Sequence, residues 1–394
     1  PKLKSKDKYK FIGKPLPRLD IPAKVNGSAI YGSDIRLPGM LYAMVSQSPF
    51  FGGRVISYDE KKAKSMKGVV DVVPIPNGIA VVADSSWHAQ KGLEATNVQF
   101  EGGKTHDLGT EKLQDIFTSS LDEMGRKEVE GKKTLDLEYE IQFLSHAAIE
   151  PMNCTAYEKD GIWHLHGGNQ WFSMAAPTAA AALGVEADTV VCHQYLAGTG
   201  FGRRTEPDNF VLAAQTSKYI GRPVKLLFTR EQDMQFDFHR TPTYQAVEGG
   251  VEFGRMTAMN HDVVAGWSTK RAAPGFMPDS VDKKGKVDQF STNGSDHWYD
   301  IPNHKVRSIN NELSDKALPV GFLRAVAPSW TFWAVESFMD EMAKKAGEDP
   351  LAFRIAHLTA HGKNAGSPPN SVGGANRLKN ALLVAAGRAG YGVK

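Results

Sequence analysis

Cysteine is almost absent from this chain: Cys154 and Cys192 are the only two in 394 residues. Two thiols cannot supply a CxxC…CxxC zinc site, nor hold an iron–sulfur cluster. They read as buried free thiols. A disulfide between them stays open, and the redox compartment with it. An excess of charge of one sign is also missing. Lys and Arg number 47 against 44 Asp and Glu, a formal net of +3, which lacks the clustered basic footprint of a nucleic-acid binder. Long hydrophobic runs are missing too. A stretch such as Ala179 to Val185 falls far short of the roughly 20 apolar residues of a membrane helix. No signal peptide opens the chain and Pro1 is not a natural start, so a processed or trimmed N-terminus is expected. No internal repeat or long low-complexity tract interrupts it.

What is present is an ordinary globular mixture, 41% hydrophobic and 23% charged. The length suits two or three domains at roughly 150 residues each. The fold class is α+β, a small domain followed by a larger mixed α/β domain. Residues 1–11 form a basic tail, in which Lys2, Lys4, Lys6, Lys8 and Lys10 face one acid, Asp7; a solvated tail or interdomain strap is expected. Residues 12–103 form the small domain. Strands are predicted at 41–48, 54–59, 69–74, 78–84 and 97–100, with a short helix over 60–66. Ser85 caps a helix running to Thr96, with Trp87 and Leu93 on its buried face. Residues 104–133 read as a polar connector with one helical stretch near 111–119. Residues 134–394 form the larger domain, with strands at 154–159, 162–166, 189–195 and 223–229. Helices are predicted over 173–183, 207–220 and 331–346. In the last, Val335, Phe338, Met339, Met342 and Ala346 share one face. Gly347 stops that helix and Pro350 opens the next.

The most informative unit runs from Thr189 to Arg230. An apolar strand enters Gly198-Thr-Gly200-Phe201-Gly202-Arg203-Arg204, a helix follows, and a second strand closes the unit. Glycines there let backbone N–H groups approach a ligand. The helix N-terminus and two arginines favour a polyanion such as pyrophosphate. A nicotinamide-dinucleotide site fits poorly, because Arg203 stands at the third fingerprint glycine and no acid follows about 20 residues on.

The loop Gly198–Arg204 resembles the G-G-G-F-G loop of the molybdenum hydroxylases, the xanthine dehydrogenase and aldehyde oxidase family. The doubled arginine is most similar to the branch of isoquinoline 1-oxidoreductase β-subunits and membrane-associated aldehyde dehydrogenases. Further stretches agree: 143–156, Pro302-Asn303 with Pro319 to Arg324, Glu336 to Glu341 with Asp349 to Arg354, and Gly13 to Phe51, which is similar to the family's β-hammerhead domain. The resemblance implies a β-hammerhead-like domain over 12–103, a first cofactor-binding domain over 134–394 and a second such domain absent from this chain. It implies a molybdenum–molybdopterin cofactor, held through Gly198, Gly200, Phe201, Gly202, Arg203 and Arg204, with no side-chain ligand to the metal. The cytosine dinucleotide form is expected, with the two arginines on its phosphates. Leu144, Phe201, Leu323 and Arg324 are implied on the substrate side. Leu144 stands where xanthine dehydrogenases carry a glutamine, and Ala325-Val326-Ala327 follows Arg324 where purine hydroxylases have Gly-Phe-Gly. Both departures favour a less polar substrate, such as an aromatic aldehyde or N-heterocycle.

The family reaction inserts water-derived oxygen into a C–H bond, with a glutamate base from a G-x-G-E segment that this sequence lacks; no catalytic residue is identified on the chain itself. The resemblance therefore implies partners: a second molybdenum-domain chain or a missing C-terminal half, an iron–sulfur subunit with [2Fe–2S] clusters, a possible cytochrome acceptor and a small-molecule substrate, with no nucleic acid. A bacterial periplasmic or inner-membrane-associated location is favoured over the cytoplasm. His146, His164, His166 and His193 are expected to be structural rather than metal ligands, and Glu150 structural or cofactor-contacting. Two other readings stand beside this one: a non-catalytic cofactor-binding or assembly module of the same fold, and a nicotinamide-dependent dehydrogenase.

Overall fold

A computed structural model describes residues 3–103, 105–126, 128–129, 131–280, 285–311, 318–359 and 374–392. Lys2 of the basic tail lies outside these residues. Thirteen strands are described: β1 (Leu41–Gln47), β2 (Arg54–Ser57), β3 (Val69–Ile75), β4 (Gly78–Ala83), β5 (Gln99–Glu101), β6 (Leu135–Ile141), β7 (Asn153–Lys159), β8 (Ile162–Gly167), β9 (Val190–Gln194), β10 (Val224–Leu227), β11 (Thr243–Glu252), β12 (Arg255–Ala265) and β13 (Asn303–Asn310). They form a seven-stranded sheet in the order β3-β4-β1-β10-β7-β8-β9, a four-stranded sheet in the order β13-β12-β11-β6, and the pair β2-β5. The mixed α/β architecture agrees with the expected fold class.

The expected boundary at residue 103 is not a boundary of the large sheet. β1, from the N-terminal region, pairs in parallel with β10, Leu41 opposite Val224 and Met44 opposite Leu227. Its other edge pairs antiparallel with β4. Ala43 and Val45 are therefore buried in the same core as Leu226 and Phe210. The helices Phe172–Leu183 and Asp208–Ile220 cover one face of this sheet, with Ala179, Leu183, Phe210 and Ala213 fully or nearly fully buried against Cys154, Ala156, Trp163 and Leu165. Asp208–Ile220 ends because Gly221 takes a left-handed conformation (φ 70°), which glycine adopts without strain.

The connector expected over 104–133 is also more than a connector. Its helix, Thr110–Met124, is amphipathic and buries Leu113, Phe117 and Leu121. Phe117 and Leu121 pack with Tyr244, Ala246, Val264 and Ile309 on one face of the four-stranded sheet. The helix Pro328–Ala346 covers the opposite face through Val335, Phe338, Met339 and Met342, the expected stripe. Gly347 (φ 70°) caps it. The next helix, Pro350–His357, is clamped back by Arg354, which donates to Glu336 (2.8 Å) and Asp340 (2.6 Å). One expectation fails in the small domain: Ser85 does cap Ser86–Ala95, but Trp87 is 62% exposed and lies under Lys91 instead of in the core.

Four buried histidines gather at the four-stranded sheet: His261 on β12, His304 on β13, and His297 and His357 beside them. His261 Nε2 meets Gln245 Oε1 at 3.0 Å, His357 Nε2 accepts from the Met256 amide at 2.9 Å, and the His297 and His304 rings lie 4.5 Å apart. Burial, reinforced by His304, lowers the His261 pKa to about 3, so the ring is neutral in the fold. In the unfolded chain it titrates near 6.5. Stability from this group is therefore complete above about pH 6.5 and falls as pH drops toward 3, by about 1.4 kcal/mol per pH unit for one proton. Urea unfolding across pH 7 to 4 should give a steep acid slope that His261→Gln reduces; an unchanged slope would contradict the assignment.

Candidate functional site

The loop after β9 is locally strained in a way that the sequence makes possible. Thr199 (φ 70°), Phe201 (φ 54°) and Gly202 (φ 108°) all have positive φ. Gly202 lies so close to the segment 318–324 that a Cβ there would fall 1.4 Å from the Phe322 carbonyl oxygen. A Cβ at Gly200 would fall 2.5 Å from Gln170 Oε1. The Gly202 amide donates to that same oxygen (3.1 Å), whereas the amides of Gly200 and Phe201 have no partner among the described residues.

Two buried ion-pair systems hold the loop. Arg204 donates from Nη2 to Glu150 Oε2 (3.0 Å) and the Glu150 carbonyl (2.8 Å), and from Nε to the Thr199 carbonyl (2.7 Å). Glu150 also accepts from the amides of Gly198 (2.8 Å) and Ser33 (3.0 Å) and from Asn153 Nδ2 (3.0 Å). Arg203 makes a bidentate pair with Asp208, both distances 2.7 Å, and its Nε lies 3.0 Å from Asp237 without hydrogen-bond alignment. Both arginines are 1% exposed. The expectation that their guanidinium groups contact dinucleotide phosphates is therefore corrected: they are spent inside the protein, holding the loop in shape.

Asp237 also receives the His146 amide (2.6 Å) and lies 3.0 Å from His146 Nδ1. Burial pushes the Asp237 carboxyl up, but the His146 hydrogen bonds and the Arg203 charge outweigh it and bring the pKa to about 2. An ionised Asp237 requires the proton on His146 Nδ1. His146 is thus held through Nδ1 by Asp237, while its buried Nε2, beside Gly202, has no hydrogen-bond partner among the described residues. His164 and His166 share a sheet face, as expected, and stack with His193 and Tyr157. Among the described residues no group of His, Cys, Asp and Glu could hold a metal ion. Cys154 is buried and Cys192 partly buried, and both are free thiols.

The expected substrate-side residues converge in part. Phe201 (37% exposed) and Leu144 (54% exposed) reach the surface. The Arg324 amide donates to the Phe201 carbonyl (2.7 Å), and the Arg324 side chain is exposed. Leu323 is 8% exposed, so its side chain belongs to the interior and not to an open wall. One residue was missed: Arg240, which joins the other pieces. Its amide donates to the Leu144 carbonyl (2.9 Å) and its Nη2 to the Arg324 carbonyl (3.3 Å). Nothing in Phe238-His-Arg-Thr-Pro242 marks it, because its partners are backbone carbonyls far away in sequence. A cavity of about 670 Å³ opens beside the start of the loop, lined by Tyr31, Glu150, Gly198, Thr199 and Phe228 among others. That volume lies in the range of small-molecule and cofactor sites.

Glu150→Gln would keep the side-chain shape but leave Arg204 buried without its counter-charge. Urea unfolding should show a loss of about 3 kcal/mol or more; a change below about 0.5 kcal/mol would mean that the pair does not hold the loop.

Comparison with known proteins places this geometry in context. Residues 123–358 match the molybdopterin cofactor-binding domain family. A membrane-bound aldehyde dehydrogenase (pyrroloquinoline-quinone) of Gluconacetobacter polyoxogenes is 39% identical over 97% of this chain and 52% of its own length. The isoquinoline 1-oxidoreductase β-subunit of Brevundimonas diminuta is 29% identical over 92% of this chain and 48% of its own. The solved aldehyde oxidoreductase of Desulfovibrio gigas superposes with a TM-score of 0.68 at 20% identity, covering 96% of this chain and 47% of the other, a likeness of fold. The chain thus spans about half the length of these relatives.

Proposed function

The chain belongs to the molybdopterin cofactor-binding domain family, and from that premise we propose that it forms the cofactor-holding part of a molybdenum hydroxylase that oxidises an aldehyde or an N-heterocycle. The observation that carries this reading is the Gly198–Gly202 loop, which lies inside the matched residues. Its residues fit the group. The amides of Gly200 and Phe201, unpaired among the described residues, are donors suited to an oxyanion or oxo group. Gly200 and Gly202 let the loop backbone pack directly against Gln170 and the Phe322 carbonyl, where a Cβ would clash, and so keep those amides in place. The ion pairs Arg204–Glu150 and Arg203–Asp208 fix the loop before any ligand arrives, the preorganisation that binding requires.

In this reading the loop backbone from Gly198 to Gly202 holds the cofactor, while Phe201 and Leu144 form apolar walls against the substrate and Arg324 faces it. Arg203 and Arg204 support the loop from beneath. When bound, the molybdenum cofactor supplies the redox and oxygen-transfer chemistry, with oxygen derived from water. The cofactor takes its cytosine dinucleotide form. Electrons leave to an iron–sulfur partner carrying [2Fe–2S] clusters, and a cytochrome can serve as the later acceptor. The half of the relatives' length that this chain does not span supplies the second cofactor-binding domain and the general-base glutamate. The complex works in the bacterial periplasm or at the inner membrane.

The test is metal and cofactor analysis of the protein purified from its host with its partners attached. Molybdenum near one atom per chain, with a pterin dinucleotide released on denaturation, is the expected result. An intact assembly without molybdenum, or one that contains pyrroloquinoline quinone instead, would overturn the reading.

A further inference from the structure

Four arginines of the described chain are buried: Arg203, Arg204, Arg240 and Arg354. Three have acids on them. Arg203 meets Asp208 and Asp237, Arg204 meets Glu150, and Arg354 meets Glu336 and Asp340. Arg240 has none. It is 9% exposed, its Nε finds no partner, and its one side-chain hydrogen bond runs to the Arg324 carbonyl at 3.3 Å. Burial acts on this guanidinium without any opposing negative charge. A charge removed from water and left without a counter-ion is costly, and the fold holds it in place from both sides. The Arg240 amide bonds Leu144, the neighbouring His239 bridges to Val320 and stacks on Phe143 at 4.1 Å, and the Gly321 amide returns to the His239 carbonyl at 2.8 Å. The charge is therefore built in at the seam between two segments, 143–146 and 318–324, whose exposed members are Leu144 and Arg324.

We propose that Arg240, assisted by the exposed Arg324, forms a subsite for an organic carboxylate, with the ligand's apolar ring lying along Leu144 and Phe201. The inference rests on the proposed substrate side of the site and narrows it: the favoured ligands are aromatic or heteroaromatic acids. The guanidinium supplies a planar pair of donors that matches a carboxylate. Two sources give that chemistry. The carboxylate is carried by the substrate as a substituent, or it is the group formed when an aldehyde is oxidised and then held as product.

The test uses the native complex, with benzoate and its neutral counterpart benzamide as probes in titration calorimetry, so it does not depend on turnover. Wild type should bind benzoate about tenfold or more tightly than benzamide, the factor expected of a charge-assisted over a neutral hydrogen bond. Arg240→Gln should abolish that preference, and Arg240→Lys, which keeps the charge but loses the planar pair of donors, should retain only part of it. Thermal unfolding of each variant separates loss of the subsite from loss of the fold. For the two sources, KM is compared for benzaldehyde and 4-formylbenzoate. A KM raised in Arg240→Gln for 4-formylbenzoate alone identifies a substrate carboxylate; relief of benzoate inhibition with both KM values unchanged identifies a product carboxylate. Equal binding of benzoate and benzamide to wild type, or a preference that survives in Arg240→Gln, would overturn the proposal. So would release of the pterin from Arg240→Gln, which would give the charge to the cofactor instead. Molybdenum content of the wild type is measured separately, so failure of the subsite and failure of the hydroxylase reading are told apart.

Discussion

The Glu150 carboxylate ties together stretches of chain that are far apart in sequence. One oxygen takes the Ser33 amide and Asn153; the other takes the Gly198 amide and Arg204. Through these four bonds the N-terminal segment, the start of β7 and the glycine loop become one rigid corner. Arg204 then extends the network, binding the carbonyls of Glu150, Thr199 and Gly168. A loop with positive φ at Thr199, Phe201 and Gly202 costs backbone energy, of the order of 1–3 kcal/mol at each non-glycine position. It persists only when its surroundings over-determine it, and this corner does so. The Arg203–Asp208–Asp237–His146 cluster repeats the device one residue earlier.

The sequence made one side of this design readable. Glycine spacing, the doubled arginine and the strand–loop–helix order around 189–230 all correspond to observed elements. Capping also read directly: Ser85 accepts from the His88 amide, and Gly347 and Pro350 stand at the end of one helix and the start of the next. The arginines illustrate the limit. Their position pointed to a polyanion, yet Arg204 pairs with Glu150, 54 residues away in sequence, and Arg203 with Asp208, five residues on, and with Asp237, 34 residues away. An arginine near a ligand site looks the same in sequence whether it faces the ligand or a buried acid.

The strands β11, β12 and β13 were illegible for a different reason. β11 and β12 are buried on both faces, between the helices Thr110–Met124 and Pro328–Ala346. Strands of that kind lose the alternation of apolar and polar residues that marks a half-buried strand. β11 also carries polar side chains inward, where Gln245 is satisfied by His261 and Glu248 by Lys133 and the Val129 amide. The connector around 104–133 read as polar because only one stripe of its helix is apolar, and that stripe is what seals the sheet.

The position of β1 in the large sheet bears on how the chain is made. Its parallel neighbour, β10, is translated only after some 180 further residues, Leu41 being opposite Val224. Until then the nascent chain carries β1 with one hydrogen-bonding edge filled by β4 and the other open. Pairings of such long sequence separation form late and slowly. An open edge waiting on the ribosome is a place where another chain can add instead. The small N-terminal region is thus not closed by its own strands: β1 reaches its second neighbour only once the glycine-loop unit has been synthesised.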